Sequence, residues 1–224
     1  MDMGVDTDAR TESEVGSGAA TGTGTGMGTG VGLPPGQRWI RRFIRYSALP
    51  PPEVDIDSYR LRVADVELSY EELLGMIDFR GKMDFHCVTG WSIAGVEMEG
   101  ITFRGLGRIA EPRGRYAFFT SLEGYTSIVP IEDYLKGILL LRIDGRPLSY
   151  EEGFPARPFF EHLYAWKSAK WLRSIDFLED YVDGYWEERG YHERGNVWLE
   201  ERFKGARMVH AVRTPMPTSG ERKS

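Results

Sequence analysis

Phe85-His86-Cys87-Val88-Thr89-Gly90-Trp91-Ser92 contains the only cysteine in a chain of 224 residues. One thiol cannot build an internal disulfide, a four-thiolate zinc site or a CxxC redox pair. Cys87 is therefore a buried small hydrophobe, a nucleophile, or one thiolate ligand to a metal whose other ligands come from elsewhere. A basic and polar run (Arg80, Lys82, Asp84, His86) leads into it, and Gly90 lets backbone approach a ligand closely. The adjacent His86 is no thiol-protease signature, because the base there is a remote histidine. On strand geometry His86 points away from Cys87, which suits packing.

Composition narrows the choice. Twenty-eight basic residues face 34 acidic ones, for a net charge of −6. A mildly acidic chain without a clustered basic face is a poor ligand for nucleic acid. No apolar run is long enough to span a bilayer; the densest, Ile138-Leu139-Leu140-Leu141, is strand-sized. The N-terminus carries no basic n-region, apolar h-region or twin arginine, so the expected location is cytoplasmic. His162, His192 and His210 are scattered without HExxH spacing, which argues against a zinc hydrolase.

Residues 1–36 are rich in Gly, Thr and acidic residues and predict a flexible tail. Their glycines match neither GxGxxG nor a Walker pattern, and no apolar strand precedes them. The ordered domain is expected over 37–207, with a frayed, Pro/Thr/Ser-rich tail over 208–224. Tyr59 to Val63 alternates as a half-buried strand, and Ser69-Tyr70-Glu71-Glu72 is a capping box opening a short helix. A strand leads into Cys87. Gly95 to Leu106 reads as irregular chain plus a short helix. Tyr116 to Phe119 predicts a buried strand ending at Thr120 and Ser121. Pro130 opens a helix through Leu135. Ile138 to Ile143 and Lys170 to Leu178 are strands, and the aromatic, charged stretch from Tyr185 predicts an irregular wrap. Strands outnumber helices, which gives an α+β domain built on β-sheets.

His86-Cys87-Val88-Thr89-Gly90-Trp91-Ser92 with Gly95-Val96 resembles the molybdenum-ligating segment of the sulfite-oxidase-type molybdopterin oxidoreductases. Ser121-Leu122-Glu123-Gly124-Tyr125, Asp144 to Leu148, Gly153-Phe154-Pro155-Ala156-Arg157 and Tyr164 to Trp171 continue the likeness in family order, over roughly residues 40 to 205. Within the family the chain looks like a stand-alone catalytic domain, similar to that of the bacterial protein-methionine-sulfoxide reductase. The resemblance implies the β-rich α+β molybdopterin-binding fold, a molybdenum–molybdopterin cofactor, and Cys87 as the metal's thiolate.

The resemblance also implies cofactor contacts at Arg45, Thr120, Arg157, Lys167, Ser168, Ala169 and Lys170. Arg157 and Lys170 suit a terminal phosphate, with main-chain donors at Ser168 and Ala169. Thr120 is alternatively a strand-end turn residue. Tyr125 either faces the metal with its phenol or is a buried tyrosine anchored by its hydroxyl. Glu152 stands where relatives place a neutral contact, and a carboxylate beside an anionic cofactor is unfavourable, so it is set aside. The function implied is oxygen-atom transfer to or from a small substrate, with sulfoxide or N-oxide reduction favoured and a separate electron donor or acceptor protein required. Two alternatives remain. One is sulfite oxidation, for which only Arg104, Arg108 and Arg113 lie in a segment able to supply an anion-holding cluster. The other is a non-enzymatic module with Cys87 buried and inert.

Overall fold

The computed structural model describes residues 32–205. The expected frayed tail and most of the expected flexible tail lie outside them. After β1 (Arg38–Trp39) comes a hairpin of β2 (Arg60–Val63) and β3 (Val66–Ser69), with Leu61 and Val63 buried at the period of two that a strand imposes. Ser69 then caps α1 (Tyr70–Gly75): its hydroxyl accepts from the Glu72 N–H, and the Glu72 carboxylate accepts from the Ser69 N–H, closing the predicted box.

A long hairpin follows, β4 (Phe79–Cys87) and β5 (Trp91–Thr102), turned by Val88-Thr89-Gly90 with Gly90 at φ +90°. Here the structure corrects the sequence reading. The stretch from Gly95 is continuous strand to Thr102, and only α2 (Phe103–Leu106) is helical. Gly95 and Gly100 look like breakers in sequence, and Glu97 and Glu99 dilute the apolar signal. A side chain at Gly100 would collide with the Leu139 main chain, so glycine serves close strand packing there.

The remaining elements are β6 (Tyr116–Ser121), β7 (Thr126–Pro130), α3 (Ile131–Tyr134), β8 (Ile138–Ile143), β9 (Arg146–Pro147), β10 (Arg157–Phe159) and β11 (Leu172–Leu178). One sheet joins β1, β4, β5, β8, β9 and β10, with β5 pairing β1, β4 and β8 along its length; the other runs β3-β2-β11-β6-β7. The largest apolar core is built around Phe103, Phe119, Tyr134 and Phe160, with the Phe103 and Tyr134 rings stacked 4.2 Å apart. From β11 to residue 205 the described chain wraps the domain with only single helical turns, Glu187–Arg189 and Val197–Leu199. The mixed sheets and few short helices agree with the β-rich α+β class expected from the sequence. No helix among the described residues is long and apolar enough to cross a membrane.

Candidate functional site

A cavity of about 390 Å³ opens where the six-stranded sheet meets the segment 43–48, the β6–β7 turn, the loop 165–171 and the C-terminal wrap. This is the size of a small-ligand or cofactor site. Period-two alternation along β4 places Phe85 and Cys87 on the cavity wall and turns His86 away. His86 is buried, its Nδ1 2.8 Å from the Ser92 hydroxyl, and burial pulls its pKa down to about 4. Ser92 donates to Gln37 Oε1 at 3.1 Å, and Gln37 Nε2 donates to the Cys87 carbonyl at 3.2 Å. Arg202 donates to the neighbouring Val88 carbonyl. The backbone at Cys87 is thus clamped, while its Sγ lies in the cavity wall 3.2 Å from the Thr89 hydroxyl.

The same cavity receives cationic side chains. Alternation along β10 points Arg157 and Phe159 into it. Arg157 is buried, donating through Nη1 to the Glu152 carbonyl (2.9 Å) and through Nη2 to the Ser168 carbonyl (2.7 Å). Its Nε is buried with no hydrogen-bond partner, and burial pulls the guanidinium pKa down to about 10. A cation enclosed among neutral carbonyls, with a donor unspent, is a costly arrangement that an anion in the cavity would relieve. Lys170 donates to the Tyr46 carbonyl (2.7 Å) and the Ser47 hydroxyl (3.1 Å); burial, then Arg157, pushes its pKa down to about 8. Gly153, at φ +103°, makes room for it, since a Cβ there would stand 2.7 Å from Lys170 Cβ. Arg45 reaches Glu151 (3.3 Å) and Glu152 (3.4 Å) at the rim.

Glu152, set aside in sequence, lines the cavity as well. Its carboxylate is gripped at 2.7 and 3.0 Å by Arg146 and completes a capping box with Ser149, which together hold its pKa at about 2. Its charge is already compensated, so it does not conflict with an anion nearby.

Of the residues predicted from sequence, Arg45, Cys87, Tyr125, Arg157, Ser168 and Lys170 line this one cavity, and Thr120, Lys167 and Ala169 do not. Thr120 sits inside β6, paired with Thr126 and Ser174. Over residues 166–170 alternate side chains divide: Trp166, Ser168 and Lys170 line the cavity, whereas Lys167 and Ala169 are fully enclosed. Lys167 donates to Glu187, to the Ile128 carbonyl (2.8 Å) and to the Glu193 carbonyl (2.5 Å). The Ser168 N–H is spent on the Ala165 carbonyl. Tyr125 takes the anchored alternative: its hydroxyl donates to the Trp166 carbonyl at 2.5 Å, and burial raises its pKa well above the ordinary value.

Sequence reading missed Glu123, Trp186 and Tyr191. The latter two come from the wrap, whose weak periodicity gave no sign of which rings turn inward. Tyr191 lines the cavity together with Cys87, and burial, then Tyr46 and Cys87, raise its phenol pKa. Glu123 follows the end of β6; its Oε2 is buried without a partner, and burial raises its pKa to about 7 against an ordinary 4.5. A folded-state pKa above the unfolded value means that the folded chain keeps a proton between about pH 4.5 and 7 that the unfolded chain releases. Stability therefore falls as pH rises through that window. In urea unfolding of the cofactor-free chain, Glu123→Gln is expected to match the parent near pH 4 and exceed it at pH 8 by on the order of 1–2 kcal/mol, partial solvation reducing the full shift. A pH-independent difference between the two would contradict the assignment.

Residues 48–186 match the oxidoreductase molybdopterin binding domain family. The chain is 40% identical over 140 residues to the uncharacterized oxidoreductase YuiH of Bacillus subtilis (strain 168), covering 61% of this chain and 71% of that protein. It is 27% identical over 149 residues to the putative protein-methionine-sulfoxide reductase subunit YedZ1 of Azospira oryzae, covering 62% and 56%. Among solved structures it superposes on the sulfane dehydrogenase SoxCD of Paracoccus pantotrophus with a TM-score of 0.54 at 18% identity, over 59% of this chain and 41% of that one, a likeness of fold.

Proposed function

Because the chain belongs to the oxidoreductase molybdopterin binding domain family, we propose that it is a molybdenum-dependent oxotransferase that takes oxygen from a small sulfoxide or N-oxide, with Cys87 as the metal's protein ligand. One observation carries the reading. The thiol of Cys87 shares a cavity with the buried Arg157 guanidinium, which keeps an unspent N–H. A molybdopterin would bring dithiolene sulfurs, which with Cys87 would make a soft donor set, and a terminal phosphate able to accept from the unspent Arg157 N–H. When bound, the group supplies a two-electron centre able to exchange an oxygen atom.

The chain's own part is to hold and shape. Arg157 and Lys170 grip the anionic end, Arg45 closes the rim, Ser168 borders it, and the Gln37–Ser92–His86 network fixes the backbone that presents Cys87. Thr120, Lys167 and Ala169 support this arrangement from the framework behind the wall. In the net reaction the sulfur–oxygen bond of the sulfoxide breaks, sulfur is reduced to the thioether, and the oxygen leaves as water. Two protons from solvent and two electrons from a separate donor balance the change.

The wall beside Cys87 favours reduction of a neutral substrate. The cavity that Cys87 lines includes Val88, Ala165, Trp166, Trp186 and Tyr191, whereas Arg104, Arg108 and Arg113 are not among its lining residues. A sulfite dianion wants clustered guanidinium groups, while a sulfoxide needs apolar walls and few donors. The likeness to a protein named as a methionine-sulfoxide reductase subunit points the same way. The test is chain produced in a host that builds the cofactor, assayed for metal and for dye-coupled turnover. Stoichiometric molybdenum is expected, with reduction of dimethyl sulfoxide or trimethylamine N-oxide exceeding sulfite oxidation by at least about tenfold, a 1.4 kcal/mol preference. Colourless, molybdenum-free protein would remove the oxotransferase reading, and faster sulfite oxidation would reverse its direction.

A further inference from the structure

The segment over the cavity carries more charge than the site uses. From Gln37 to Pro52 the chain contains Arg38, Arg41, Arg42 and Arg45 and no acidic residue, in a protein of net charge −6. Phe43 fastens the segment from beneath, edge-on to Phe85 at 5.1 Å, and Arg45 is fastened by Glu151 and Glu152. Arg41 and Arg42 are exposed, with no carboxylate partner among the described residues. Between these anchors Ile44 and Tyr46 are 58% and 68% exposed, although both also border the cavity. The result is a small basic and apolar face at the cavity mouth.

Beneath that face runs a line of aromatic rings. Tyr46 lies 6.4 Å from Trp186, and Trp186 lies 4.8 Å from Tyr191, between ring centroids. Tyr191 and Trp186 line the same cavity as Cys87. Polarizable side chains therefore connect the exposed face to the cavity that Cys87 lines.

We infer that the face formed by Arg41, Arg42, Ile44 and Tyr46 docks the acidic surface of a one-electron carrier protein, which delivers reducing equivalents over the Tyr46–Trp186–Tyr191 rings. The inference rests on the proposed oxotransferase reaction, which consumes two electrons and two protons per substrate. With one cysteine, the chain cannot ligate an iron–sulfur cluster of its own. A few arginines around a small apolar centre suit a fast, weak encounter of the kind redox partners make: electrostatics raise the association rate while the little buried area keeps residence short. An anionic membrane would also meet basic and apolar side chains. It gives no reason for the face to sit at the cavity mouth above an aromatic line.

The test compares the parent with Arg41→Glu/Arg42→Glu, neither residue being part of the cavity lining. Binding of flavodoxin and of a plant-type ferredoxin, both acidic, is measured by calorimetry at low and high salt, alongside phosphatidylglycerol vesicles. Turnover is driven in parallel by each reduced carrier and by a small reducing dye. Carrier binding should weaken at least tenfold in the variant and lose its salt dependence, while dye-driven turnover stays unchanged. Dye-driven turnover without carrier binding in the parent, equal binding by parent and variant, or binding to vesicles only would overturn the inference. Absence of molybdenum and of dye-driven turnover would instead strike the oxotransferase reading, and the calorimetry would still decide the docking face.

Discussion

Cys87→Ser is expected to strip the metal while leaving the fold in place. The side chain is only part-buried at the end of β4, and the contacts that hold its backbone come from Gln37, Arg202 and the Gly90 turn, none of which involves the sulfur. A substitution of this kind on a clamped backbone should change unfolding free energy by no more than about 0.5 kcal/mol. Metal retention should respond very differently. A serine hydroxyl is a hard, weakly acidic donor in place of a soft thiolate. Losing even an outer partner of a metal ligand costs roughly 10–100-fold, so losing the ligand should lower molybdenum content and turnover by more than about 100-fold. Metal analysis, the visible spectrum and urea unfolding on one preparation separate the two effects. Unchanged metal and activity in the serine variant would sink the assignment of Cys87.

The second large effect is structural. Lys167 and Glu187 form an ion pair with both side chains 0% exposed, joining the cavity loop to the C-terminal wrap. Burial pulls the Lys167 pKa down and Glu187 opposes that pull, so the Lys167 charge depends on its partner. Lys167→Met should cost about 3–5 kcal/mol, because it strands a buried carboxylate, whereas Lys167→Met with Glu187→Leu should recover much of the loss. The single variant should also loosen the cavity, since Glu187 adjoins Trp186 and accepts from Trp166 Nε1 at 3.3 Å, and both rings line it. Denaturant unfolding of the two variants, with tryptophan fluorescence as the probe, checks the prediction. A single variant as stable as the parent would mean that the pair is not closed off from water.

These two residues mark how legibility divided along the chain. The place of Cys87 on the cavity wall was legible because composition leaves a lone thiol few roles and because its flanking residues form a recognisable block. Lys167 sits in a block just as recognisable, yet its neighbours in the loop diverge: Ser168 and Lys170 face the cavity and Lys167 the interior. The backbone torsions of a short irregular loop decide that outcome, and no hydrophobic period reports them. Glu152 failed for the complementary reason. Its carboxylate looked unfavourable alone, and the Arg146 and Ser149 groups that compensate it are found only once the 149–153 turn is built.

The sequence by itself determined the β-rich α+β class, the capping box at Ser69, most strand positions and the family. These depend on local period, local hydrogen bonding and short contiguous motifs, which survive in one dimension. Tertiary structure alone decided that Gly95 to Thr102 is strand, because its partners β4 and β8 satisfy a backbone whose side chains signal little. It alone brought Trp186 and Tyr191 to the cavity that Cys87 lines, left Arg157 Nε buried without a hydrogen-bond partner, and kept Arg41 and Arg42 exposed beside cavity-lining Phe43 and Ile44. Each of those facts is a relation between residues far apart in the chain, fixed by burial and charge in a shared space that linear spacing does not encode.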